Sequence, residues 1–170
     1  MAATVSQASK SQWLIVRRTK QLQRGDPAWY MPLYRVNIAT TSLCEPQFAS
    51  YVRDELQCHE FPAANLCFEI AEPEVTGNHA AVREFMAALQ PLGCRFTLDA
   101  FGSSKVSFAP LKGLAFDFLK IDGVIVQNIL TDPASLAKIR ATASASNKMG
   151  MRTIVEFVES DDTLAKYFVS

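Results

Sequence analysis

The stretch RFTLDAFGSSKVSFAPLKGLAFDFLKID, residues Arg95–Asp122, contains two apolar segments that both end in charged side chains. The first segment ends at Asp99, and the second ends at Lys120 and Asp122. In barrels built from alternating strands and helices, functional side chains lie where the strands end, around a common opening. We therefore expect these charged residues to face one opening.

The same arrangement occurs on both sides of this stretch. The segment YRVN ends at Asn37, LCFE ends at Glu69 and RTIVE ends at Glu156. These residues, like Asp99 and Lys120, alternate with apolar neighbours that occupy the opposite face of each strand. Five separate segments thus present a carboxylate, an amide or an amine on one face, as residues pointing into a barrel interior would.

The composition predicts one folded domain or a fragment of one. Of the 170 residues, 49% are hydrophobic, which is enough for a sizeable core. The 17 basic and 17 acidic residues cancel, so no overall charge favours nucleic acid or an anionic membrane. The four cysteines form no CxxC pair, which favours reduced thiols in a cytoplasmic protein over disulfides or zinc. The apolar segments are too short to span a membrane, although a membrane tether elsewhere in a parent protein stays open.

Strand and helix patterns alternate along the chain at intervals of about thirty residues, as in βα units. The predicted strands are Tyr34–Ile38, Leu66–Ala71, Arg95–Asp99, Phe116–Asp122 and Met151–Val158. The predicted helices are 11–23, Glu45–Cys58, Asn78–Leu89, 132–149 and 160–170. Six phenylalanines have core spacing and are expected to pack: Phe48, Phe85, Phe96, Phe108, Phe116 and Phe118.

The predicted fold class is α/β, a partial TIM-type (β/α) barrel with about five parallel strands. A closed barrel of this type has eight strands and ~250 residues, so the chain is expected to be part of one. Residues 1–10 are expected to be a flexible tail, and residues 11–170 an incomplete domain. Because an open barrel leaves strand edges and apolar faces unpaired, we expect association with a second copy or with parent segments.

The residues at the strand ends have the chemistry of a divalent cation site. Carboxylate and amide oxygens are the ligands that Mg²⁺ and Mn²⁺ prefer, and a nearby lysine steadies a phosphate or a developing anion. Without a cation, such carboxylates would repel one another. The alternative is a scaffold in which these residues only cap strand ends and a surface helix docks another signalling protein.

Several short motifs together resemble the EAL domains of bacterial cyclic di-GMP signalling, which are modified TIM barrels. The family motif VNLS resembles Val36–Ala39, ExTE resembles Glu69–Glu72, DDFGTG resembles Asp99–Ser104, KID is Lys120–Asp122, and AEGVE resembles Val155–Glu159. Their order and spacing match from about Trp13 to Ser170. Each motif is weak alone, and the set is specific.

The resemblance implies a phosphodiesterase site. Active members cleave one phosphodiester of cyclic di-GMP with two Mg²⁺ or Mn²⁺ ions, which activate water and hold the attacking and leaving oxygens. The implied metal ligands are Asn37, Glu69, Asp99 and Glu156. The implied catalytic residues are Lys120, which positions the nucleophilic water, and Glu159, which supports it. The implied loop supports are Asp122 and Glu72, the latter bracing the loop after Asp99.

Departures from the family pattern predict that catalysis is lost. Ala100 stands at the second aspartate of the DDFGTG loop, where its methyl group cannot ligate a metal, and Phe157 replaces the glycine of AEGVE. The family's opening region, with the glutamate of the EAL signature and an arginine beyond it, has no counterpart, nor has its closing segment with a QG pair. Losing one well-placed electrostatic group lowers a rate by ~10²–10³-fold.

These observations predict a degenerate EAL-like module that acts as a cyclic di-GMP receptor or a protein-interaction domain. Mg²⁺ or Mn²⁺ is expected only if the site still functions. The alternative is a fragment of an active metal-dependent phosphodiesterase that hydrolyses cyclic di-GMP to the linear dinucleotide. The expected partners are cyclic di-GMP and other signalling domains rather than nucleic acid, and the expected location is the cytoplasm.

Overall fold

The structure is a computed structural model of the chain, and it describes residues 3–4, 33–102, 106–128 and 132–156. The helices predicted at 11–23 and 160–170 lie outside these ranges, as does Glu159. Of the predicted tail at 1–10, only Ala3–Thr4 is described, and flexibility of the remainder stays a prediction. In the described ranges, no helix is long and apolar enough to cross a bilayer.

The described residues form one parallel sheet of six strands in sequential order. The strands are β1 Ala3–Thr4, β2 Tyr34–Asn37, β3 Leu66–Ala71, β4 Arg95–Phe101, β5 Phe118–Ile121 and β6 Arg152–Val155. Parallel neighbours require crossover connections, and the intervening helices supply them. The prediction of an α/β fold with about five parallel strands is confirmed, and β1 adds a two-residue strand that pairs with β2.

Six α-helices are described. They are α1 Thr40–Leu43, α2 Phe48–Cys58, α3 Glu72–Gly77, α4 His79–Leu89, α5 Gly123–Gln127 and α6 Pro133–Lys148. Short 3₁₀ turns lie at Ala63–Asn65, Gln90–Leu92 and Ala109–Leu111. The prediction that Asp132 begins a helix is confirmed, because its carboxylate accepts hydrogen bonds from the backbone N–H groups of Ala134 and Ser135.

Several strand boundaries differ from the prediction, and two of these differences have a local reason. Strand β5 begins at Phe118 rather than Phe116, because the side chain of Asp117 turns back and accepts a 2.8 Å hydrogen bond from the backbone N–H of Phe96. Strand β4 continues past Asp99 because a bulge shifts the register of its pairing with β5 between Leu98 and Phe101.

The hydrophobic core lies between one face of the sheet and the helices. Phe85 of α4 is its aromatic centre, with its ring centroid 5.6 Å from that of Phe48, 5.2 Å from that of Phe68 and 6.1 Å from that of Phe96. Phe118 is buried, as expected, but it lies on the other face of the sheet and outside the main core cluster. We call that other face the inner face, and it carries the polar residues.

Candidate functional site

Lys120 lies at the centre of a charged cluster on the inner face. Its Nζ atom is 3.2 Å from Glu69 Oε2, 3.3 Å from Asp99 Oδ1 and 3.0 Å from Glu156 Oε1. The side chains of Lys120 and Glu69 are 7% and 1% exposed, whereas those of Asp99 and Glu156 are 27% and 44% exposed. The cluster is therefore buried at Lys120 and open to solvent at Glu156.

The sheet register explains why these residues meet. Parallel strands place residues of equal depth side by side, so Asn37 is the direct partner of Glu69, and Lys120 is the partner of Ile154, two residues before Glu156. Alternation along each strand puts all of these side chains on the inner face. The structure thus brings together Glu69, Asp99, Lys120 and Glu156, and it places Asn37 beside Glu69.

The charge of Lys120 is fixed by its neighbours. Burial by itself would lower the pKa of Lys120, but the hydrogen bond to Glu156 and the charges of Glu69 and Asp99 outweigh it and raise the pKa above its ordinary value. Lys120 is accordingly an ammonium ion at neutral pH. It can hold an anion or orient water, but it cannot act as a base.

Arg35 is a member of the cluster that sequence reasoning missed. Its Nη1 atom donates a 3.2 Å hydrogen bond to Glu69 Oε1, the oxygen that Lys120 does not contact. Each oxygen of Glu69 therefore has its own cationic partner. The signal was present in the sequence, because Arg35 stands two residues before Asn37 and so shares its face of β2.

The loop after Asp99 is held by helices on two sides. The backbone N–H of Gly102 donates a 2.9 Å hydrogen bond to Glu72 Oε2, which places Glu72 at the loop it was predicted to brace. From α6, Lys138 Nζ donates a 2.8 Å hydrogen bond to the carbonyl oxygen of Gly102, a contact that sequence reasoning missed. Ala100 has a φ of 55°, which lies in the left-handed region. Glycine enters this region freely, asparagine and aspartate do so occasionally, and other residues do so rarely.

Asp122 has no hydrogen bond or ion pair with the cluster among the described residues, and Glu159 is not described. Asp122 lies beyond the end of β5, and its Oδ1 accepts a 2.9 Å hydrogen bond from the backbone N–H of Val124, so it caps α5. Its predicted role as a loop support stays a prediction. Glu159 lies outside the described residues, and its supporting role stays a prediction.

The donor chemistry of the cluster fits a divalent cation, but its arrangement does not favour one. Glu69, Asp99 and Glu156 offer hard oxygen ligands. Within the described ranges, however, no group of three or more His, Cys, Asp or Glu side chains is arranged to hold a metal ion. The carboxylates are gathered around Lys120, and Ala100 adds no oxygen to the loop.

Comparison with known proteins identifies the family. The model of the EAL domain matches residues 9–167. The chain belongs to the EAL domain family. This EAL domain is 30% identical over 143 residues to the cyclic di-GMP phosphodiesterase PdeB of Shewanella oneidensis, a match that covers 84% of the chain and 17% of PdeB. It is also 30% identical over 152 residues to the phosphodiesterase RocR of Pseudomonas aeruginosa, covering 89% and 38%.

Solved EAL domains share the fold. The FimX EAL domain of Xanthomonas citri, in complex with cyclic di-GMP, has a TM-score of 0.84 and 27% identity, and the match covers 95% of this chain and 64% of that one. The FimX EAL domain of Pseudomonas aeruginosa, bound to cyclic di-GMP, has a TM-score of 0.83 and 28% identity, with coverage of 94% and 64%. This EAL domain therefore spans less than two thirds of the length of these relatives.

Proposed function

We propose that this EAL domain is a receptor for cyclic di-GMP that binds the dinucleotide at the inner-face cluster and does not cleave it. The observation that carries this proposal is the loop after Asp99. It supplies one carboxylate to the cluster, because Ala100 presents a methyl group where the family has a second aspartate. A receptor of this kind passes the nucleotide signal to another signalling domain.

The loss of one loop carboxylate acts on catalysis more than on binding. Two-metal hydrolysis needs an ion on the attacking oxygen and another on the leaving oxygen, so both ions must be held in place. Binding of the dinucleotide does not need both ions, and Lys120 and Arg35 offset two of the three carboxylate charges at the cluster, which reduces the repulsion of an anionic ligand. The FimX EAL domains bound to cyclic di-GMP support this ligand for the shared fold.

The direct test is to incubate the purified chain with cyclic di-GMP and Mn²⁺ and to analyse the nucleotides by chromatography. We expect the cyclic dinucleotide to be recovered intact while calorimetry detects its binding. An active phosphodiesterase assayed in parallel shows that the conditions permit cleavage. Steady formation of the linear dinucleotide would contradict the proposal, and so would the absence of binding.

A second candidate is a fragment of an active phosphodiesterase. It is favoured by the two relatives named as phosphodiesterases and by the convergence of Glu69, Asp99, Lys120 and Glu156. This candidate predicts Mn²⁺-dependent turnover by a longer protein that contains the chain, and faster turnover after Ala100→Asp. If neither the longer protein nor its Ala100→Asp variant cleaves cyclic di-GMP, this candidate is eliminated.

The cytoplasm is the proposed location. All of the described cysteines are free, and Cys67 and Cys94 are buried, as expected of a protein kept in a reducing compartment. Other signalling domains, a second copy of the chain or segments of the parent protein are the proposed protein partners. Mg²⁺ or Mn²⁺ is proposed only for the second candidate.

A further inference from the structure

We propose that Arg35 takes the place of a divalent cation at Glu69 and thereby excludes Mg²⁺ or Mn²⁺ from the cluster. This inference rests on the proposed receptor function and adds a mechanism to it. It concerns a residue outside the recognised motifs, and it derives from contacts on the inner face of the sheet.

Glu69 is the carboxylate that would have most to gain from a metal ion. Its side chain is 1% exposed, so water contributes little to its solvation, and a buried carboxylate needs charged or hydrogen-bonding partners. Lys120 contacts Oε2 at 3.2 Å and Arg35 contacts Oε1 at 3.2 Å. Each oxygen of Glu69 therefore already has a cationic partner, and a metal ion at Glu69 would lie close to the positive charge of Lys120 or Arg35.

Phe118 holds the guanidinium group of Arg35 in this position. The Cζ atom of Arg35 lies 5.4 Å from the centroid of the Phe118 ring, and the Cζ atom of Arg152 lies 4.9 Å from the same centroid. Phe118 therefore has a cation–π contact with each arginine, and such contacts restrict a side chain that would otherwise sample many rotamers. A positioned guanidinium loses less freedom when it binds Glu69, which makes it a stronger competitor.

The net charge of the cluster also disfavours binding of a divalent cation. The three carboxylates of Glu69, Asp99 and Glu156 are opposed by Lys120 and Arg35, which leaves a net charge of −1 from the ion pairs of the cluster. Without Arg35 the same set carries −2. A divalent cation consequently meets a nearly neutralised site.

The test is a titration of the whole chain with Mn²⁺ alone, followed by electron paramagnetic resonance, which distinguishes free from bound Mn²⁺. We expect Arg35→Ser to tighten Mn²⁺ binding about tenfold, because one opposing charge next to a ligand is removed. Arg35→Lys keeps the charge and is expected to retain weak binding. Arg152→Ser is the matched control, since Arg152 contacts the same ring and has no ion pair among the described residues.

Unchanged Mn²⁺ affinity in Arg35→Ser would overturn the proposal, and so would an equal gain in Arg152→Ser. Thermal unfolding followed by circular dichroism shows whether each variant is folded, and Arg35→Gln, which keeps more of the side-chain length, replaces the serine variant if that one is not. Because no nucleotide is present, this titration is independent of the receptor function. If cyclic di-GMP does not bind, the receptor function is refuted. The Mn²⁺ titration still decides whether Arg35 excludes the metal ion.

Discussion

Lys120 compensates three carboxylates from three other strands, so its removal leaves negative charges without their common partner. We expect Lys120→Met to lower the free energy of unfolding by about 3 kcal/mol, the low end for a broken buried ion pair, since Glu156 is 44% exposed. Urea unfolding measures this change. Lys120→Arg keeps the charge and is the control, with a smaller expected loss.

The pH dependence of this difference follows from the pKa of Lys120. Because its neighbours raise the pKa above the ordinary lysine value, its charge stabilises the folded state fully below about pH 10.4, the pKa in the unfolded chain. That contribution is lost as the pH rises through the higher pKa of the folded state. The difference between wild type and Lys120→Met is therefore expected to be constant from pH 7 to about 10 and smaller above. A difference that grows in alkali would contradict this view of the cluster.

Ala100 is strained, and its strain is testable by a small substitution. With a φ of 55°, its Cβ crowds the backbone, which costs roughly 1 kcal/mol and is relieved in glycine. We expect Ala100→Gly to raise the free energy of unfolding by about 0.5–1 kcal/mol. Ala87→Gly, at an exposed position inside α4, is the control and should lower it by about 1 kcal/mol. The same sign for both variants would show that Ala100 is unstrained.

At the residue scale, the sequence was most informative where burial enforces alternation. Glu69, Asp99 and Lys120 were predicted to share a face because their neighbours are apolar, and that face is the one observed. Arg35 also lies on this face by alternation, but it precedes the end of its strand, where the predicted site residues lie. Asp122 follows its strand, where alternation no longer applies and a helix start determines its orientation.

At the scale of elements, helix α3 and the loop after Asp99 are joined by Glu72. This carboxylate is 8% exposed and accepts the hydrogen bond of the Gly102 N–H. We expect Glu72→Ala to lower the free energy of unfolding by about 1–3 kcal/mol, because a buried donor is left unsatisfied. Glu72→Gln keeps an acceptor oxygen and should lose less, as chemical denaturation can determine.

Glu74→Ala is the matched control for the loop contact. It removes a carboxylate from the same helix, but that carboxylate bonds locally, accepting a hydrogen bond from the side chain of Asn78 at 3.2 Å. Its expected effect is within about 0.5 kcal/mol. If Glu74→Ala were as destabilising as Glu72→Ala, the loss would come from α3 and not from the loop.

The long helices were predictable and the short ones were not. Helices α2 and α4 have 11 residues each, so their apolar residues repeat on one side and the period of 3.6 is visible. Helix α6 buries mostly Ser and Thr side chains, and it was predicted from its start at Asp132 and Pro133 instead. Helices α1, α3 and α5 have four to six residues, too few to show a repeat. The bulge in β4 was missed for a similar reason, since a single extra residue leaves no periodic signal.

For the whole molecule, the burial of cysteines predicts a pattern of chemical reactivity. Burial raises the pKa of Cys67 to about 11 and that of Cys94 to about 12, so both are protonated thiols at pH 8. Cys44 and Cys58 are exposed. We expect a thiol-alkylating reagent to label Cys44 and Cys58 in the folded chain and all four cysteines in urea, as mass spectrometry would resolve. Rapid labelling of Cys94 in the folded chain would contradict the burial of this residue in the core.

The order of the sheet also predicts association. Among the described residues, β6 pairs only with β5 and has no bond to β1, so the sheet does not close into a barrel there. An unpaired strand edge is a template for another chain. We expect light scattering of the purified chain to give a mass above that of one copy. A single monomeric species with cooperative thermal unfolding would show that the chain covers its own edges.

The parallel order and the common mouth were predictable because βα connections allow few topologies. The incomplete barrel was expected from the number of strands, but the stagger between strands was not, since it does not depend on any one segment. The charge balance of the cluster also escaped prediction, because it depends on Arg35 of β2 reaching Glu69 of the neighbouring strand β3. Such contacts depend on the register between paired strands, which is visible in the folded sheet but not in the pattern of a single strand.

We propose that cyclic di-GMP binds at the inner-face cluster without a metal ion. The most direct test is a calorimetric titration of the full chain with cyclic di-GMP, first in EDTA and then in Mn²⁺. We expect specific binding of cyclic di-GMP in EDTA, with an affinity for the dinucleotide that Mn²⁺ leaves nearly unchanged. Binding that appears only when Mn²⁺ is added would contradict it.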